Sequence, residues 1–391
     1  MEYWIWLQRA LGAGARADEI ISFFGSPREF YEAGRREWIL SGVVSSDTAE
    51  RIAGRSPGES ADIIRECEKN NWSIITPQSK YYPEALGTIS SYPLVLYVWG
   101  DPGVLKEKLM ISFVGTREAS RYGLSVSRRL AYDVAGAGAV VVSGGALGID
   151  SSSHEGALAA GGKTIAFLGC GLGFDYLREN LALRREIAGN GAVVSEFPPD
   201  SPPTKSSFPI RNRLISGISL GTVIIEAGIK SGSLITARCA AQQGRDVFAV
   251  PGDIISSNYT GANKLIKDGA KPVFSAADIL EEYAYLFPGL LKALSESKPK
   301  TKAPEIVKPE INYSDEDKKE KKPFVKKAPD FPLSEETQGV YDRLNNIPKT
   351  ADDIAEECGL PIMGVLAALT ELEMFGLAAQ GEGKLFAARE I

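Results

Sequence analysis

Histidine and cysteine are scarce in this sequence of 391 residues, which has one histidine and four cysteines. The cysteines are scattered and match no metal-ligand or disulfide spacing, so we expect four reduced thiols, as in a cytoplasmic protein. No serine, cysteine or carboxylate stands in a known catalytic-triad order with His154. A lone histidine is more often a hydrogen-bonded structural residue than a general base. We therefore predict no metal, no cofactor and no histidine-based catalysis.

A long apolar run and a cationic leader are also missing. No stretch of about 18 apolar residues occurs, so we expect no membrane span. The first nine residues, MEYWIWLQR, lack the cationic start and the long apolar stretch of a signal peptide. These absences agree with the expected cytoplasmic location.

The sequence has no excess of positive charge, because its formal net charge is −6. A negative net charge is unfavourable for binding nucleic acid, but the charge is distributed unevenly along the chain. Residues 71–290 carry 20 cationic and 19 anionic side chains, whereas residues 333–391 carry 4 and 11. The middle of the chain can therefore hold a local basic patch, while the C-terminal end would repel a phosphate backbone.

Composition divides the chain into four segments. Residues 1–70 predict a small helical module, and residues 71–294 predict alternating strands and helices. Residues 295–332, rich in lysine, glutamate and proline, predict a disordered linker, and residues 333–391 predict a winged helix. The glycine turn at 11–14 could contact backbone phosphate or simply join two helices, and the acidic balance of its module favours the simple turn.

The predicted winged helix has an acidic third helix. Residues 362–375 contain none of the Arg, Lys, Asn or Gln side chains that recognition helices use to read bases. They do contain Glu371 and Glu373. We therefore predict that this module contacts protein, or simply packs, rather than reading DNA.

Residues 107–285 predict a doubly wound, mostly parallel α/β sheet. Short apolar runs, most of them rich in β-branched residues, alternate with helical stretches, as in strands that are buried on both faces. The predicted strands are 109–114, 139–143, 164–168, 192–195, 222–226 and 246–250, and the predicted helices are 124–135, 150–160, 178–188, 210–218 and 234–243. In such sheets ligands bind beyond the carboxyl ends of the strands, where this chain has its unusual loops.

Four loops at these strand ends carry candidate binding residues. Glycines before a helix expose amide donors to an anion, arginine and lysine bind phosphate, and an exposed ring stacks on a base. The candidates for nucleic-acid contact are Gly115, Thr116, Arg117, Ser143, Gly144, Gly145, Lys205, Phe208, Arg211, Asn212, Arg213, Ser231, Gly232 and Ser233. No acid, base and nucleophile stand among them in a catalytic order, which indicates binding rather than turnover.

Two other loop residues have alternative interpretations. Cys170 could be a nucleophile, but the sequence shows no base or cation partner for it, so a turn of small residues is favoured. Glu226 could be catalytic, or it could hold a backbone amide or a nearby arginine. The structural role of Glu226 is favoured.

The motifs together resemble the DNA-processing protein A family, also called Smf. The resemblance spans about residues 80–275, and it rests on the segments VGTR (114–117), SGGALGID (143–150), SEFP (195–198), FPIRNR (208–213), SGSLITA (231–237) and QGRDVFAVPG (243–252). It implies an extended Rossmann-like core that binds single-stranded DNA without sequence preference. It also implies a dimer through that core, which delivers the recombinase RecA onto incoming strands in natural transformation.

The same resemblance implies roles for individual residues. Arg117 and Lys205 would hold phosphate, and Phe208 would stack a base. Thr116 departs from the family pattern, because many members have serine there, but the change keeps the hydroxyl group.

The rival interpretation is an enzyme. A Rossmann-like hydrolase that cleaves nucleoside monophosphates uses Pro-Gly-Gly-x-Gly-Thr-x-x-Glu after a strand, whereas residues 231–238 read SGSLITAR, without the glutamate. A dinucleotide enzyme is disfavoured because the glycine spacing is not Gly-x-Gly-x-x-Gly. We therefore expect a binding protein without enzymatic activity, with a nucleotide phosphoribohydrolase-type enzyme as the alternative.

Overall fold

A computed structural model describes residues 1–296, 326, 329, 333–345, 349–380 and 385–388. Two compact units are present, Met1–Lys308 and Pro309–Ile391. The predicted linker, 295–332, lies outside the described residues except at four positions. One of these is Lys326, which donates hydrogen bonds to the carbonyls of Tyr341 and Asp342.

Nine strands form one sheet in the first unit. In chain order they are β1 (Ser73–Ile75), β2 (Leu96–Gly100), β3 (Met110–Val114), β4 (Val140–Ser143), β5 (Thr164–Leu168), β6 (Gly191–Ser195), β7 (Gly221–Ile224), β8 (Asp246–Ala249) and β9 (Lys271–Pro272). Their order across the sheet is β1-β2-β6-β5-β4-β3-β7-β8-β9. Strand β2 pairs antiparallel with both β1 and β6, and all other pairings in the sheet are parallel. The predicted doubly wound sheet is confirmed, and its six predicted strands have ends within two residues of those observed.

Fourteen helices belong to the described part of this unit. In chain order they are α1 (Glu2–Leu11), α2 (Asp18–Phe24), α3 (Pro27–Leu40), α4 (Ser46–Ala53), α5 (Ser60–Lys69), α6 (Glu84–Gly87), α7 (Arg121–Gly136), α8 (Ile149–Ala159), α9 (Leu181–Asn190), α10 (Ser207–Ile218), α11 (Ser233–Gln242), α12 (Thr260–Lys267), α13 (Ala276–Leu280) and α14 (Leu290–Glu296). All five predicted helices of the sheet segment are present.

Strand β3 illustrates why the central strands are apolar along their length. Ile111 and Phe113 pack into a core that includes residues of α7 and α8. Met110 and Val114 alternate with them and pack into a second core that includes residues of α10 and α11. Both faces of the sheet are buried, as parallel strands require, so a ligand approaches the sheet at its strand ends.

The chain reverses its direction across the sheet between β6 and β7. Strands β4, β5 and β6 are added in turn on one side of β3, and β7 then pairs with β3 on its other side. The loops that follow β3 and β7 belong to this topological switch point, where doubly wound sheets bind their ligands.

The N-terminal helices pack against the sheet through a common core. Trp6 and Phe30 from the helices are buried in the same cluster as Tyr97 from β2. The buried Gln8 side chain donates hydrogen bonds to the carbonyls of Val95 and Glu196, both at 2.9 Å. These contacts join the predicted helical module to the edge of the sheet, and the module boundary at residue 70 stays a prediction.

The glycine turn of this module uses an amide within the protein. The N–H of Gly14 donates to the Glu196 carboxylate at 3.1 Å, and Arg213 binds the same carboxylate. This contact favours the interpretation of the turn as a packing element over a phosphate-contacting turn.

The second unit has three described helices and a three-stranded sheet. In chain order its elements are α15 (Glu335–Arg343), β10 (Lys349–Thr350), α16 (Ala351–Cys358), α17 (Ile362–Met374), β11 (Ala378–Gln380) and β12 (Leu385–Ala388). The strands pair antiparallel in the order β10-β12-β11, which is the arrangement of a winged helix. The predicted wing turn at 381–383 lies outside the described residues. Across the described ranges of both units, no helix combines the length and apolarity needed to cross a membrane.

Candidate nucleic-acid interface

A cleft of about 370 Å³ opens at the switch point between β3 and β7. It is lined by Val114, Gly115, Thr116, Arg117, Glu118, Ala146, Asp150, Phe208, Arg211, Asn212, Ile215, Ser231, Gly232, Ser233 and Thr236. Nine of the fourteen predicted residues belong to this lining. The other five are Ser143, Gly144, Gly145, Lys205 and Arg213.

Close backbone packing shapes the loop after β3. A Cβ atom on Gly115 would stand 2.5 Å from a side chain of α8, so the loop follows this path only without a side chain there. The N–H of Thr116 donates to the Glu226 carbonyl at 2.8 Å. The next residue, Arg117, is exposed, and its guanidinium carbon lies 4.8 Å from the centroid of the Phe208 ring.

The lack of a side chain at Gly169, which follows β5, leaves room for the Phe208 ring. A Cβ atom on Gly169 would lie 2.8 Å from that ring. The Ser207 hydroxyl donates to the Gly169 carbonyl at 2.5 Å, which joins the first turn of α10 to the same loop. Cys170, the next residue, is buried, and burial raises the pKa of its thiol. These contacts support the interpretation of this loop as a turn of small residues.

Helical spacing explains which residues of α10 reach the cleft. Phe208, Arg211, Asn212 and Ile215 stand at positions i, i+3, i+4 and i+7, and all four line it. Arg213 is two residues beyond Arg211, which rotates it by about 200° around the helix axis. Its position on another face was readable from the sequence.

Arg213 forms a buried ion pair outside the cleft lining. Its Nη2 lies 2.6 Å from both carboxylate oxygens of Glu196, which is 2% exposed. Burial raises the pKa of Glu196, and the charge of Arg213 opposes that rise. This pair joins α10 to the end of β6 and to the N-terminal glycine turn.

Arg211 lines the cleft, but several of its N–H groups donate hydrogen bonds to other residues of the protein. Its Nη1 donates to the carbonyl of Gly144 at 2.6 Å and to the carbonyl of Phe167, and its Nε donates to Asn212. Burial raises the pKa of the Asp150 carboxyl, and the nearby charge of Arg211 opposes that rise. Arg211 therefore stabilises the loop after β4 and adds a buried positive charge beside the cleft.

The predicted residues of the β4 loop support the wall of the cleft. The Ser143 side chain is buried, and its hydroxyl donates to a backbone carbonyl of β3 at 2.6 Å. Gly144 accepts the hydrogen bond from Arg211, and the Gly145 carbonyl accepts one from Asn180 at 3.1 Å. The loop presents the following residue, Ala146, to the cleft.

Two further features offer donors to an anion. Lys205 is exposed in the turn that leads into α10. At the start of α11, the hydroxyl groups of Ser231 and Ser233 lie 2.7 Å apart. The first-turn amides of this helix favour an anion.

The surroundings of Glu226 fit the favoured structural role. Its buried carboxylate accepts hydrogen bonds from the amide and hydroxyl of Ser120, from Asn258 and from Tyr259. A backbone amide was among the expected partners, but sequence reasoning missed the other three donors. The available signal was the position of Ser120 before α7, where its side chain caps the helix. Glu226 thus joins the loops that follow β3 and β8.

His154 is fully buried on α8. Its Nδ1 lies 2.7 Å from the Thr164 hydroxyl, and its Nε2 has no hydrogen-bond partner among the described residues. Burial lowers its pKa from 6.5 to about 3, so the ring is neutral at physiological pH. Its surroundings agree with a structural histidine. In the parts of the chain that the structure describes, no group of three His, Cys, Asp or Glu side chains could hold a metal.

Comparisons with family models and curated proteins agree with each other. The model of the DNA recombination-mediator protein A matches residues 73–284, and that of the DprA winged helix domain matches residues 325–384. The chain is 45% identical over 210 residues to the DNA processing protein DprA of Bacillus subtilis, which covers 54% of this chain and 71% of the relative. It is 35% identical over 317 residues to the protein Smf of Escherichia coli, which covers 81% and 77%.

Two solved structures are similar to this one. The X-ray structure of DNA processing protein A from Streptococcus pneumoniae aligns with a TM-score of 0.64 at 32% identity, over 72% of this chain and 98% of that chain. A structure of DNA processing protein A from Helicobacter pylori, described for its single-stranded DNA binding mode, aligns with a TM-score of 0.50 at 34% identity. That alignment covers 55% of this chain and 96% of the other.

Proposed function

The chain belongs to the DNA recombination-mediator protein A family, and on that basis we propose that it binds single-stranded DNA without sequence preference. The observation that carries the proposal is the contact between Arg117 and Phe208 at the cleft. Phe208 is half-buried, and a cation beside a partly exposed ring can hold a phosphate while the ring stacks the attached base. Because every base has a π-face, such a site accepts any sequence.

The exposure of each cation decides its role in this proposal. Arg117 and Lys205 are exposed, so a phosphate can reach them and release its counterions. Arg211 and Arg213 are held by carbonyls and by a carboxylate within the protein. We therefore assign phosphate contact to Arg117 and Lys205, base stacking to Phe208, the shaping of the cleft to the buried Arg211, and the anchoring of α10 to Arg213.

The remaining lining residues complete the proposed interface. Gly115 and Thr116 bring the β3 loop close to the strand of DNA, and Asn212 offers a polar side chain on the same face of α10 as Phe208. The residues Ser231–Ser233 supply hydroxyl groups and the amides of a helix start, which suit a phosphate oxygen.

We infer that this binding serves no reaction of the protein's own. The carboxylate of Glu226 is occupied by three neighbouring residues, and His154 is buried and neutral. The hydrolase alternative needs a glutamate near the start of α11, and residues 231–238, SGSLITAR, contain none. Release of ribose phosphate from a panel of nucleotides would overturn this inference.

Family membership extends the proposal to a protein partner. We infer that the chain forms a homodimer through its sheet unit and loads the recombinase RecA onto incoming single strands. The location would be the cytoplasm, and the process would be natural transformation or recombination. The description of the family as recombination mediators supports this inference.

We assign the C-terminal unit to protein contact. Helix α17 exposes Met363, and Met374 at its end is exposed as well. Methionine side chains adapt well to apolar partners, and the 11 anionic residues among 333–391 would repel a phosphate backbone. Both features favour a protein partner over DNA.

The decisive experiment compares single-stranded and double-stranded oligonucleotides. Fluorescence anisotropy of the full chain with labelled oligothymidylate should show tighter binding than with a duplex of equal length. Affinity should fall as salt rises, because phosphate contacts release counterions. Equal affinity for the duplex, or affinity that does not respond to salt, would refute the proposal.

A further inference from the structure

An exposed aromatic side chain, Tyr122, lies at the same edge of the sheet. The Tyr122 ring, in the first turn of α7, is 53% exposed. Its hydroxyl lies 3.5 Å from the carbonyl of Pro251, which follows β8, and its ring meets Tyr259 edge-on with centroids 5.9 Å apart. The side chain thus reaches from the loop after β3 to the loop after β8. Phe208 packs on the loop after β5, on the other side of β3.

Two adjacent isoleucines extend from the same β8 loop into solvent. Ile254 and Ile255 are 87% and 90% exposed. The loop is held in place by two hydrogen bonds between Gly252 and the Asn263 side chain, at 3.1 and 3.0 Å, and by one from the Ile255 amide to Asp253. A fixed loop that presents two apolar side chains to water is typical of a contact surface.

A cation accompanies this apolar surface. Arg121 precedes Tyr122 in sequence and is exposed at the start of α7. This segment thus offers a guanidinium and an exposed ring, the two kinds of group that Arg117 and Phe208 bring together at the cleft. Alternating cations and rings are the usual means by which proteins follow a single strand.

The carboxylate of Glu226 holds the two halves of this surface together. It binds Ser120, immediately before Arg121, and it binds Asn258 and Tyr259 beyond the isoleucines. A Cβ atom on Gly123 would lie 2.0 Å from a Glu226 oxygen, so the first turn of α7 packs directly against this carboxylate. The position of Tyr122 is therefore set before any ligand arrives.

We propose that Tyr122, Arg121 and the Ile254–Ile255 tip form a second base-stacking subsite for the same single strand of DNA. The subsite would receive nucleotides beyond those held by Arg117 and Phe208, and the inference rests on the proposed function of that first site. Strands β5 and β8 are four strand intervals apart in the sheet, or about 19 Å at about 4.8 Å per interval. That separation is a few nucleotides, within the footprint of about 4–16 nucleotides found in single-strand binders.

The test compares short and long oligothymidylates, of about 3 and about 20 nucleotides, by fluorescence anisotropy with the full chain, because about 3 nucleotides are too short to reach both sites. Tyr122→Leu should weaken binding of the long oligonucleotide by roughly 5- to 100-fold, the range for loss of one stacked base, and change binding of the short one less than about 2-fold. Tyr122→Phe keeps the ring and should restore the lost affinity. Tyr285→Leu is the matched control, because Tyr285 is also an exposed tyrosine. It lies two residues after Tyr283, whose hydroxyl donates to the first residue of β8. That residue is at the opposite end of β8 from the proposed subsite.

Replacing both Ile254 and Ile255 with serine gives a second test that does not disturb the core. This double variant should also weaken binding of the long oligonucleotide selectively. Unchanged affinity in both tests, equal losses for short and long oligonucleotides, or a loss in Tyr122→Phe as large as in Tyr122→Leu would overturn the subsite. A failure of the first site would look different, because Phe208→Ala would then leave both oligonucleotides unaffected.

Discussion

The guanidinium of Arg117 lies over the ring of Phe208, with 4.8 Å between the guanidinium carbon and the ring centroid. Arg117 comes from the loop after β3, and Phe208 comes from the first turn of α10. The two residues are distant in sequence, and the fold brings them together at the switch point of the sheet. One nucleotide can therefore contact both, through its phosphate and its base.

This contact predicts coupled losses of affinity. Arg117→Ala and Phe208→Ala should each weaken binding of oligothymidylate by about 1–3 kcal/mol. Because the side chains touch, the double variant should lose less than the sum of the two single losses. Fluorescence anisotropy of the four proteins measures the coupling. Arg36→Ala, an exposed arginine on α3, is the control and should bind as the parent does. Strictly additive losses would show that the two residues contact the strand independently.

Lys205 and Arg213 should respond to substitution in different ways. Lys205→Ala removes an exposed cation, so it should lower the affinity for the strand without changing thermal stability. The slope of log affinity against log salt concentration should become shallower by about one unit. Arg213→Ala leaves the buried Glu196 carboxylate unpaired and should lower the free energy of unfolding by about 3–5 kcal/mol. Thermal melting and anisotropy on both variants separate the two effects.

A third variant checks the origin of the Arg213 effect. Adding Glu196→Gln to Arg213→Ala removes the unpaired charge, so part of the lost stability should return. If Arg213→Ala instead kept its stability and lost affinity for the strand, Arg213 would be a DNA contact.

His154, the only histidine in the chain, should make stability depend on pH. Its pKa in the folded protein is lowered to about 3, so between about pH 3 and pH 6.5 the unfolded chain binds the proton that the folded chain excludes. The free energy of unfolding should therefore decrease as the pH is lowered, by about 2 kcal/mol from about pH 7 to pH 5. Urea denaturation at the two pH values measures the difference.

His154→Gln is the control for this pH dependence, because it removes the titrating ring. Burial raises the pKa values of Asp150 and Glu196, so these carboxyls stabilise the fold as pH falls and act in the opposite direction. Both proteins contain them, so the difference between the two pH profiles isolates the histidine. Identical profiles would contradict the neutral buried state.

Removal of each terminal module should have a different effect. A chain without residues 333–391 should keep the single-strand affinity of the full chain, because the cleft lies in the other unit. A chain without residues 1–70 should unfold more easily, because it loses the core around Trp6 and the hydrogen bonds of Gln8 to the sheet. Anisotropy and thermal melting test both. A large loss of affinity on removal of 333–391 would contradict the assignment of that unit to protein contact.

The central strands were predictable because each is a short apolar run that faces two cores. Strands β1 and β9 were not predicted, since they have only three and two residues and such lengths carry no periodic signal. Strand β2 was also missed, although Leu96, Tyr97 and Val98 are fully buried. It pairs antiparallel with β6 and lies outside the repeating strand-helix pattern on which the prediction depended.

The role of a cleft residue could be predicted where its residue type and its place in a loop indicate it. The role could not be predicted where it depends on a partner that is distant in sequence. Arg117, Phe208 and Ser231–Ser233 stand in loops at strand ends, where their residue types indicate phosphate and base contact. Arg213 was grouped with them because it is close in sequence, although helical spacing places it on another face of α10, where it binds Glu196. That partner follows β6, and no spacing rule identifies it as the partner of a residue on α10.

The reversal between β6 and β7 also has a consequence for biosynthesis. During translation, strands β3 to β6 leave the ribosome before Phe208, Glu226 and α11 do. A chain at that stage has the arginine loop outside the ribosome but neither the aromatic ring nor the carboxylate that holds Ser120 in place. The cleft can therefore be completed only after α11 has emerged, late in the synthesis of the sheet.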